Sequence, residues 1–307
     1  MRNKINAIIA VLLCVGTIFG CAKNETVEIP PMEAEESVAI SFDVIGGKDV
    51  MPLAGYWGPK ITDESEDGIS LPETINDEMF QLIADCGINL INHSLTNQRS
   101  AEEEINYMMN LGVKYGIGLF VYDSVIHSAY GANSMSVEEM IPYMSEYMNH
   151  PGFAGMYLVD EPGSGKYNMG NINLPNYPEL YDKLVRQIGT FSYFNLLPIT
   201  EMKEKENYIA YLDEVFETVN PNYLSYDKYP FEKANRGKED CYFWNLAIMR
   251  EYAQEHHVPL WTYMQCGDQW NLTTDTEEYW PDEGQYDWQI NTNLEFGVQG
   301  LQFYTLM

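Results

Sequence analysis

Positive charge is scarce in this chain. Lys and Arg number 17 against 46 Asp and Glu, a formal net charge of −29. Loss of a leader whose only charged residues are Arg2 and Lys4 takes this to −29 − 2 = −31. Such a balance repels nucleic acid and disfavours polyanionic substrates, so neutral ligands fit best. Histidine is also rare, with five residues. His256 and His257 are adjacent, hence on different helix faces, and His150 reads as a helix C-terminal cap. Only His93 falls where a binding site is expected, so a metal centre is not indicated. The five cysteines show no CxxC spacing. With Cys14 in a cleaved leader and Cys21 at its end, Cys86, Cys241 and Cys266 remain, an odd number that argues against a disulfide framework. GxGxxG, phosphate-loop, Ser-His-Asp and reactive-cysteine motifs are missing too, so no cofactor is expected.

What is present begins with a leader. "MRNKINAIIAVLLCVGTIFGC" has a basic start, an apolar run from Ala7 to Phe19, and small Gly20 before Cys21. The run is too short to span a bilayer comfortably. "IFGC" is similar to a bacterial lipobox, which implies residues 1–20 as a signal peptide and Cys21 as the lipidated mature N-terminus. Residues 21–45 are polar, acidic and proline-bearing, and read as a flexible tether. The expected location is therefore extracytoplasmic, at the cell surface or in the periplasm, with the membrane engaged only through the lipid on Cys21.

From about residue 46 to residue 307 short apolar runs alternate with longer amphipathic ones, as repeated βα units do. Eight strands are expected: "MPLAGYWG", "GINLINHS", "GIGLFVYDS", "FAGMYLVDEP", "FSYFNLLP", "NYLSYDKYP", "PLWTYMQCG" and "GVQGLQFYTLM". Helix-like segments such as "NDEMFQLIADCG" and "SVEEMIPYMSEYMNH" lie between them, with capping residues in front and glycine or proline behind. A doubly wound open sheet gives a similar alternation, but the strand count and the lack of a nucleotide motif favour an α/β fold of the (β/α)8 TIM-barrel type. The sequence stops at Met307, directly after the eighth strand, so the barrel reads as truncated there. Residues 37–46, "SVAISFDVIG", are expected as an extra strand under the barrel floor.

A TIM barrel gathers its carboxyl strand ends at one mouth. In strand order these ends carry Trp57; Asn92 and His93; Tyr122 and Asp123; Asp160 and Glu161; Asn195; Tyr226, Asp227 and Tyr229; Gln265, Asp268 and Trp270; and Tyr304. Aromatics, amides and carboxylates with hardly any cation suit a sugar, whose C–H faces pack on rings and whose hydroxyls bond amides and carboxylates.

"GMYLVDEP" at the end of the fourth strand resembles the clan A glycoside hydrolases, especially the β-galactosidase-like barrels of family 42. The resemblance implies Glu161 as general acid/base. Where that family has Asn before the acid/base, this chain has Asp160; where it has a nucleophilic Glu after strand seven, "WTYMQCG" offers Gln265. A glutamine amide cannot form a glycosyl ester.

Glycoside hydrolysis needs two carboxyl groups, one protonated and one ionised. Apolar walls and Asp160 are expected to raise the pKa of Glu161 and keep it protonated. Asp227 in "LSYDKYPF" is the first choice for the second carboxylate, with Asp268 next and Asp123 third. If Asp227 and Glu161 face each other across a wide gap, an inverting reaction follows. The sequence thus predicts an O-glycosyl hydrolase acting on a neutral oligo- or polysaccharide, with Trp57, Asn92, His93, Tyr122, Asp160, Asn195, Tyr226, Tyr229, Gln265, Asp268, Trp270 and Tyr304 lining the substrate site. The alternative is a non-catalytic surface glycan-binding lipoprotein on a degenerate hydrolase barrel.

Overall fold

The computed structural model describes residues 42–56, 75–92, 101–123, 126, 134–163, 177–199, 204–231, 239–267 and 280–304. The signal peptide, residues 21–41 of the expected tether with Cys21, and Trp57, His93, Asp268 and Trp270 lie outside these residues, whereas Phe42 to Ile45, expected as tether, are packed under the barrel. The whole of a first compact unit, Met1–Glu35, also lies outside the described residues, and the barrel falls within the second, Glu36–Met307.

Eight parallel strands build one sheet: β1 (Leu53–Gly55), β2 (Leu90–Asn92), β3 (Gly118–Val121), β4 (Phe153–Asp160), β5 (Ser192–Asn195), β6 (Leu224–Tyr226), β7 (Leu260–Gln265) and β8 (Gly300–Tyr304). Their order is β5-β4-β3-β2-β1-β8-β7-β6. A single parallel bridge, Leu196 to Tyr226, joins β5 to β6 and nearly closes the ring. The chain is a TIM-type α/β barrel.

The helices follow the strands: α1 (Asp77–Asp85), α2 (Ala101–Tyr115), α3 (Val137–Met148), α4 (Tyr177–Tyr181), which continues as a π-helix over Asp182–Ile188, α5 (Lys205–Thr218), α6 (Glu239–Glu255) and α7 (Glu283–Glu295). Local chemistry starts several of them. Asn76 accepts from the Met79 N–H at α1, and Ser136 with Glu139 and Asp282 with Gln285 form capping boxes at α3 and α7, which satisfy backbone donors that a helix start leaves unpaired. The turns into β2, β3, β5 and β8 pass through left-handed Gly87, Gly116, Gly189 and Gly297, whereas Asn220 and His257 take that conformation before β6 and β7. Glycine enters that region without a Cβ penalty.

The barrel interior is aromatic at its floor. Phe42 packs edge-on against Phe120 and Phe191 and tilts onto Trp261, while Tyr223 meets Phe191 and Trp261. The expected floor strand is absent where it is described: Asp43–Ile45 form a 3-10 turn ended by left-handed Gly46, and Phe42 acts as a plug. Gly300 is required there, because a Cβ would lie 2.6 Å from the Trp261 ring. Above the floor sit Tyr157, Tyr193, Tyr263 and Tyr56, with Tyr157 stacked on Tyr193 at 4.6 Å.

Along β4 the register slips. Tyr157 pairs with Tyr193, but Val159, two residues later, pairs with Phe194, one residue later. The extra residue is a bulge, which restarts the alternation of inward and outward side chains. Without it Asp160 would share neither the face nor the layer of Asn195, with which it pairs.

Candidate functional site

Asp160 is the hub of the mouth. The Tyr56 hydroxyl donates to its Oδ2 at 2.8 Å and the Asn195 amide to its Oδ1 at 3.1 Å. The same Asn195 nitrogen donates to Asp227 Oδ1 at 2.9 Å. Behind it, Ser225 Oγ donates to Asn195 Oδ1 at 2.8 Å and Gln302 Nε2 donates to Ser225 Oγ at 2.7 Å. Tyr56 is also 3.0 Å from the Tyr157 hydroxyl. Since Tyr56 gives its proton to Asp160, Tyr157 is the donor in that contact. Two hydrogen-bond chains therefore converge on one carboxylate, as an ionised acid requires.

Glu161 follows at φ 48°, a left-handed conformation that costs a non-glycine residue roughly 1–2 kcal/mol. Its N–H is held by the Asn195 carbonyl at 2.8 Å, and the Tyr211 hydroxyl fixes the next carbonyl, that of Pro162, at 2.8 Å. Strain retained at a polar mouth position is characteristic of functional sites. The Glu161 and Asp227 carboxyl groups are close enough to act on each other electrostatically.

Three carboxyl groups this close cannot all ionise. Burial, then the charge of Asp160, raises Glu161 to about 6, with the Asp227 hydrogen bond acting in the opposite direction. Burial, then the charges of Glu161 and Asp160, pushes Asp227 well above the carboxylate range. Asp160 is raised by burial and held down by Tyr56 and Asn195. Burial and mutual charge thus push both Glu161 and Asp227 toward their protonated forms.

Around this cluster, Tyr304 stacks on Tyr56 with centroids 5.3 Å apart and lies 5.7 Å from the Tyr229 ring. Tyr122 sits 5.7 Å from Tyr157, with its hydroxyl pushed up to about 12 by burial and by Asp123. Asn92 is buried at the end of β2, and its Oδ1 has no partner among the described residues.

Asp160, Glu161, Asn195, Asp227, Tyr229 and Tyr304 thus come together at the carboxyl strand ends. Tyr226 does not join them. Its neighbours Ser225 and Asp227 point inward, so Tyr226 faces the helices, beside Tyr208 and Tyr242, a consequence of strand alternation. Gln265 is at the mouth but committed to structure: its Oε1 accepts from the Phe231 N–H at 2.9 Å and its Nε2 reaches the Gly267 carbonyl at 3.4 Å. Asp123 accepts from the Ile126 N–H and the Tyr147 hydroxyl, at 3.1 and 2.9 Å, and so ties a turn to α3. Tyr56, Ser225 and Gln302 escaped sequence reasoning. Tyr56 stood next to Trp57 at a strand end and was legible; Ser225 and Gln302 lie inside strands, with no signal of their own.

Among the described residues no group of three His, Cys, Asp or Glu is arranged to hold a metal ion, and no helix is long and apolar enough to cross a membrane.

No protein-family model matches the chain, and no curated protein matches it. Solved structures do. The GH99 endo-α-mannosidase from Bacteroides thetaiotaomicron is similar over 83% of both chains at 12% identity, with a TM-score of 0.50. A chitinase from Chromobacterium violaceum is similar over 84% of this chain and 94% of its own at 13% identity and a TM-score of 0.50. Cellulose synthase subunit Z from Clostridioides difficile covers 84% and 92% at 12% identity with the same score. At such identity the likeness shows the fold, a TIM barrel, and not an activity.

Proposed function

We propose that this chain is an O-glycosyl hydrolase acting on a neutral oligo- or polysaccharide, with Glu161 as general acid/base. The observation that carries this reading is the cluster of Asp160, Glu161 and Asp227 at the strand ends, with the Asn195 amide donating to both aspartates. A carboxyl held near 6 is poised to lend and recover a proton under mildly acidic to neutral conditions. The aromatic rings of Tyr304, Tyr229 and Tyr122 around it suit the C–H face of a sugar. The structural neighbours include a mannosidase and a chitinase, which is consistent with the same general chemistry on this fold. The sequence resemblance to family 42 barrels at "VDEP" belongs to this reading as well.

The second carboxylate needs a different assignment. A base or nucleophile must stand opposite the acid, roughly 5–9.5 Å away depending on mechanism, and be ionised, whereas burial and the neighbouring charges push Asp227 toward its protonated form. Asp227 is the proton partner of Glu161, and Asp268, three residues beyond Gln265 in sequence, takes the ionised role. Asp160, locked by two donors, supplies fixed negative charge beneath the cation-like transition state. Cys21 carries the lipid that anchors the protein at a bacterial membrane.

A second reading, glycan binding without turnover, is favoured by one observation: Gln265 is spent on the Phe231 and Gly267 backbone and supplies no nucleophile. Incubation with neutral oligosaccharides, comparing parent with Glu161→Gln, decides between them. A hydrolase loses turnover and keeps binding; a pure binder shows binding in both and turnover in neither.

A further inference from the structure

Two hydrogen-bond donors approach the acid cluster from Asn195, and their direction is fixed from below. Asn195 is buried, and an amide there has two orientations of nearly equal shape. In one, its NH2 faces Asp160 and Asp227; in the other, its carbonyl oxygen faces two carboxyl groups and is repelled. Ser225 has a single proton. Since Gln302 Nε2 donates to Ser225 Oγ at 2.7 Å, that proton is free to go to Asn195 Oδ1, 2.8 Å away, which holds the amide in the first orientation. All three side chains are buried, so no solvent competes for the bonds. Among the described residues Gln302 Oε1 finds no partner, an unpaired polar atom that is costly to keep in a barrel core.

We propose that Ser225 and Gln302 are positioning residues, a one-way donor chain inside the barrel that locks the Asn195 amide so that its NH2 serves both Asp160 and Asp227. Through Asn195 the chain sets how the Glu161–Asp227 pair holds its proton. It rests on the hydrolase reading only for its kinetic consequence. The groups facing Asp227 are Glu161 and Asp160 from the end of β4, Tyr208 and Tyr211 from α5, Tyr226 from β6 and Tyr304 from β8. Of these only the carboxyl groups titrate below pH 9, so a shift in that range reports the cluster.

The two links differ in what they remove. Ser225→Ala deletes the donor to Asn195 and frees the amide to turn, whereas Gln302→Met removes a donor to Ser225 but leaves the serine proton in place. Carbon-13 NMR titration of the side-chain carboxyl groups in the full-length protein tests this without substrate. In Ser225→Ala the upper titration of the Glu161–Asp227 pair is expected to rise by about one pH unit, the effect of losing a hydrogen bond to a charged group. Gln302→Met should move it by less than about a third of that. Ser225→Cys, similar in volume with a weak donor, should fall between parent and alanine, and serves if the alanine variant does not fold. Equal shifts in Ser225→Ala and Gln302→Met, or no shift in a folded Ser225→Ala, overturn the proposal. In a turning-over enzyme the same displacement appears in the pH profile of kcat/KM with KM for a neutral substrate little changed. A parent without turnover whose titration shifts as stated refutes the hydrolase reading and supports the relay.

Discussion

Replacing Glu161 by Gln should make the protein more stable and less active at once. The carboxyl is raised from 4.5 to about 6, a penalty on its charged form of about 2 kcal/mol. Solvent at the mouth screens part of it, which leaves on the order of 1 kcal/mol. A folded-state pKa above the unfolded value means that stability is full below about 4.5 and falls as pH rises through about 6. The amide never ionises, so Glu161→Gln should gain about 1 kcal/mol at pH 7.5, equivalent to about 2–4 °C in Tm for a barrel of this size. The advantage should vanish near pH 4. Backbone strain at φ 48° is common to both side chains and cancels. Activity should move the other way: glycosides with poor leaving groups should slow by roughly a hundredfold or more, because the amide cannot donate a proton. Activated aryl glycosides need no such donation and should suffer much less. Calorimetry at pH 4 and 7.5, with initial rates on both substrate classes, checks each part. A variant less stable than the parent at pH 7.5, or one hydrolysing natural substrate at the parent rate, refutes the reasoning.

Other expectations follow from the same geometry. Asp227→Asn should harm substrates with poor leaving groups more than activated ones, while Asp268→Asn should slow both, as loss of a base or nucleophile does; the same leaving-group dependence in both variants would remove the distinction drawn here. Product stereochemistry followed by NMR should then separate water activation by Asp268, seen as inversion, from a covalent intermediate, seen as retention. Gly300→Ala, which would place a methyl group 2.6 Å from Trp261, should cost about 1–3 kcal/mol of stability, read from denaturant midpoints. Mass spectrometry of membrane-extracted protein should find Cys21 as an acylated N-terminus, and an unmodified Cys21 would count against the anchor.

The barrel was legible because each strand–helix unit carries its own punctuation: an apolar run, a cap such as Asn76 or Ser136, and a left-handed glycine before the next strand. The position of Glu161 was legible for the same reason, since a strand end in this fold is a mouth position. Tyr226 shows what strand-end reasoning leaves out. It ends β6 as Asp160 ends β4, yet alternation turns it toward the helices, and only Ser225 and Asp227 face inward. Parity along a strand can be counted from sequence only if no residue is inserted, and β4 contains such an insertion between Tyr157 and Val159.

That insertion also explains how "VDEP" presents two acids in different roles. Adjacent residues on a regular strand point to opposite faces, so without a bulge Asp160 would meet the helices if Glu161 met the mouth. The bulge turns Asp160 inward to Tyr56 and Asn195, and the left-handed turn at Glu161 then swings the next carboxyl to Asp227 instead of outward. Both acids reach one site, but in unlike settings: Asp160 accepts from Tyr56 and Asn195, while Glu161 is set against a carbonyl-held backbone and the charge of Asp160. The arrangement places two destabilising features, a strained backbone and a like-charged pair, at a single residue. Deleting Leu158 removes only the extra residue and leaves Val159 on Phe194 and Asp160 on Asn195, so the variant should keep Asp160 inward, the raised titration of Glu161 and barrel-like circular dichroism, whereas inserting a residue after Val159 should turn Asp160 to the helix side and lose that titration. An insertion after Val159 that retained the Glu161 titration near 6 would show that the pairing of Asp160 with Asn195 is not what brings these acids together.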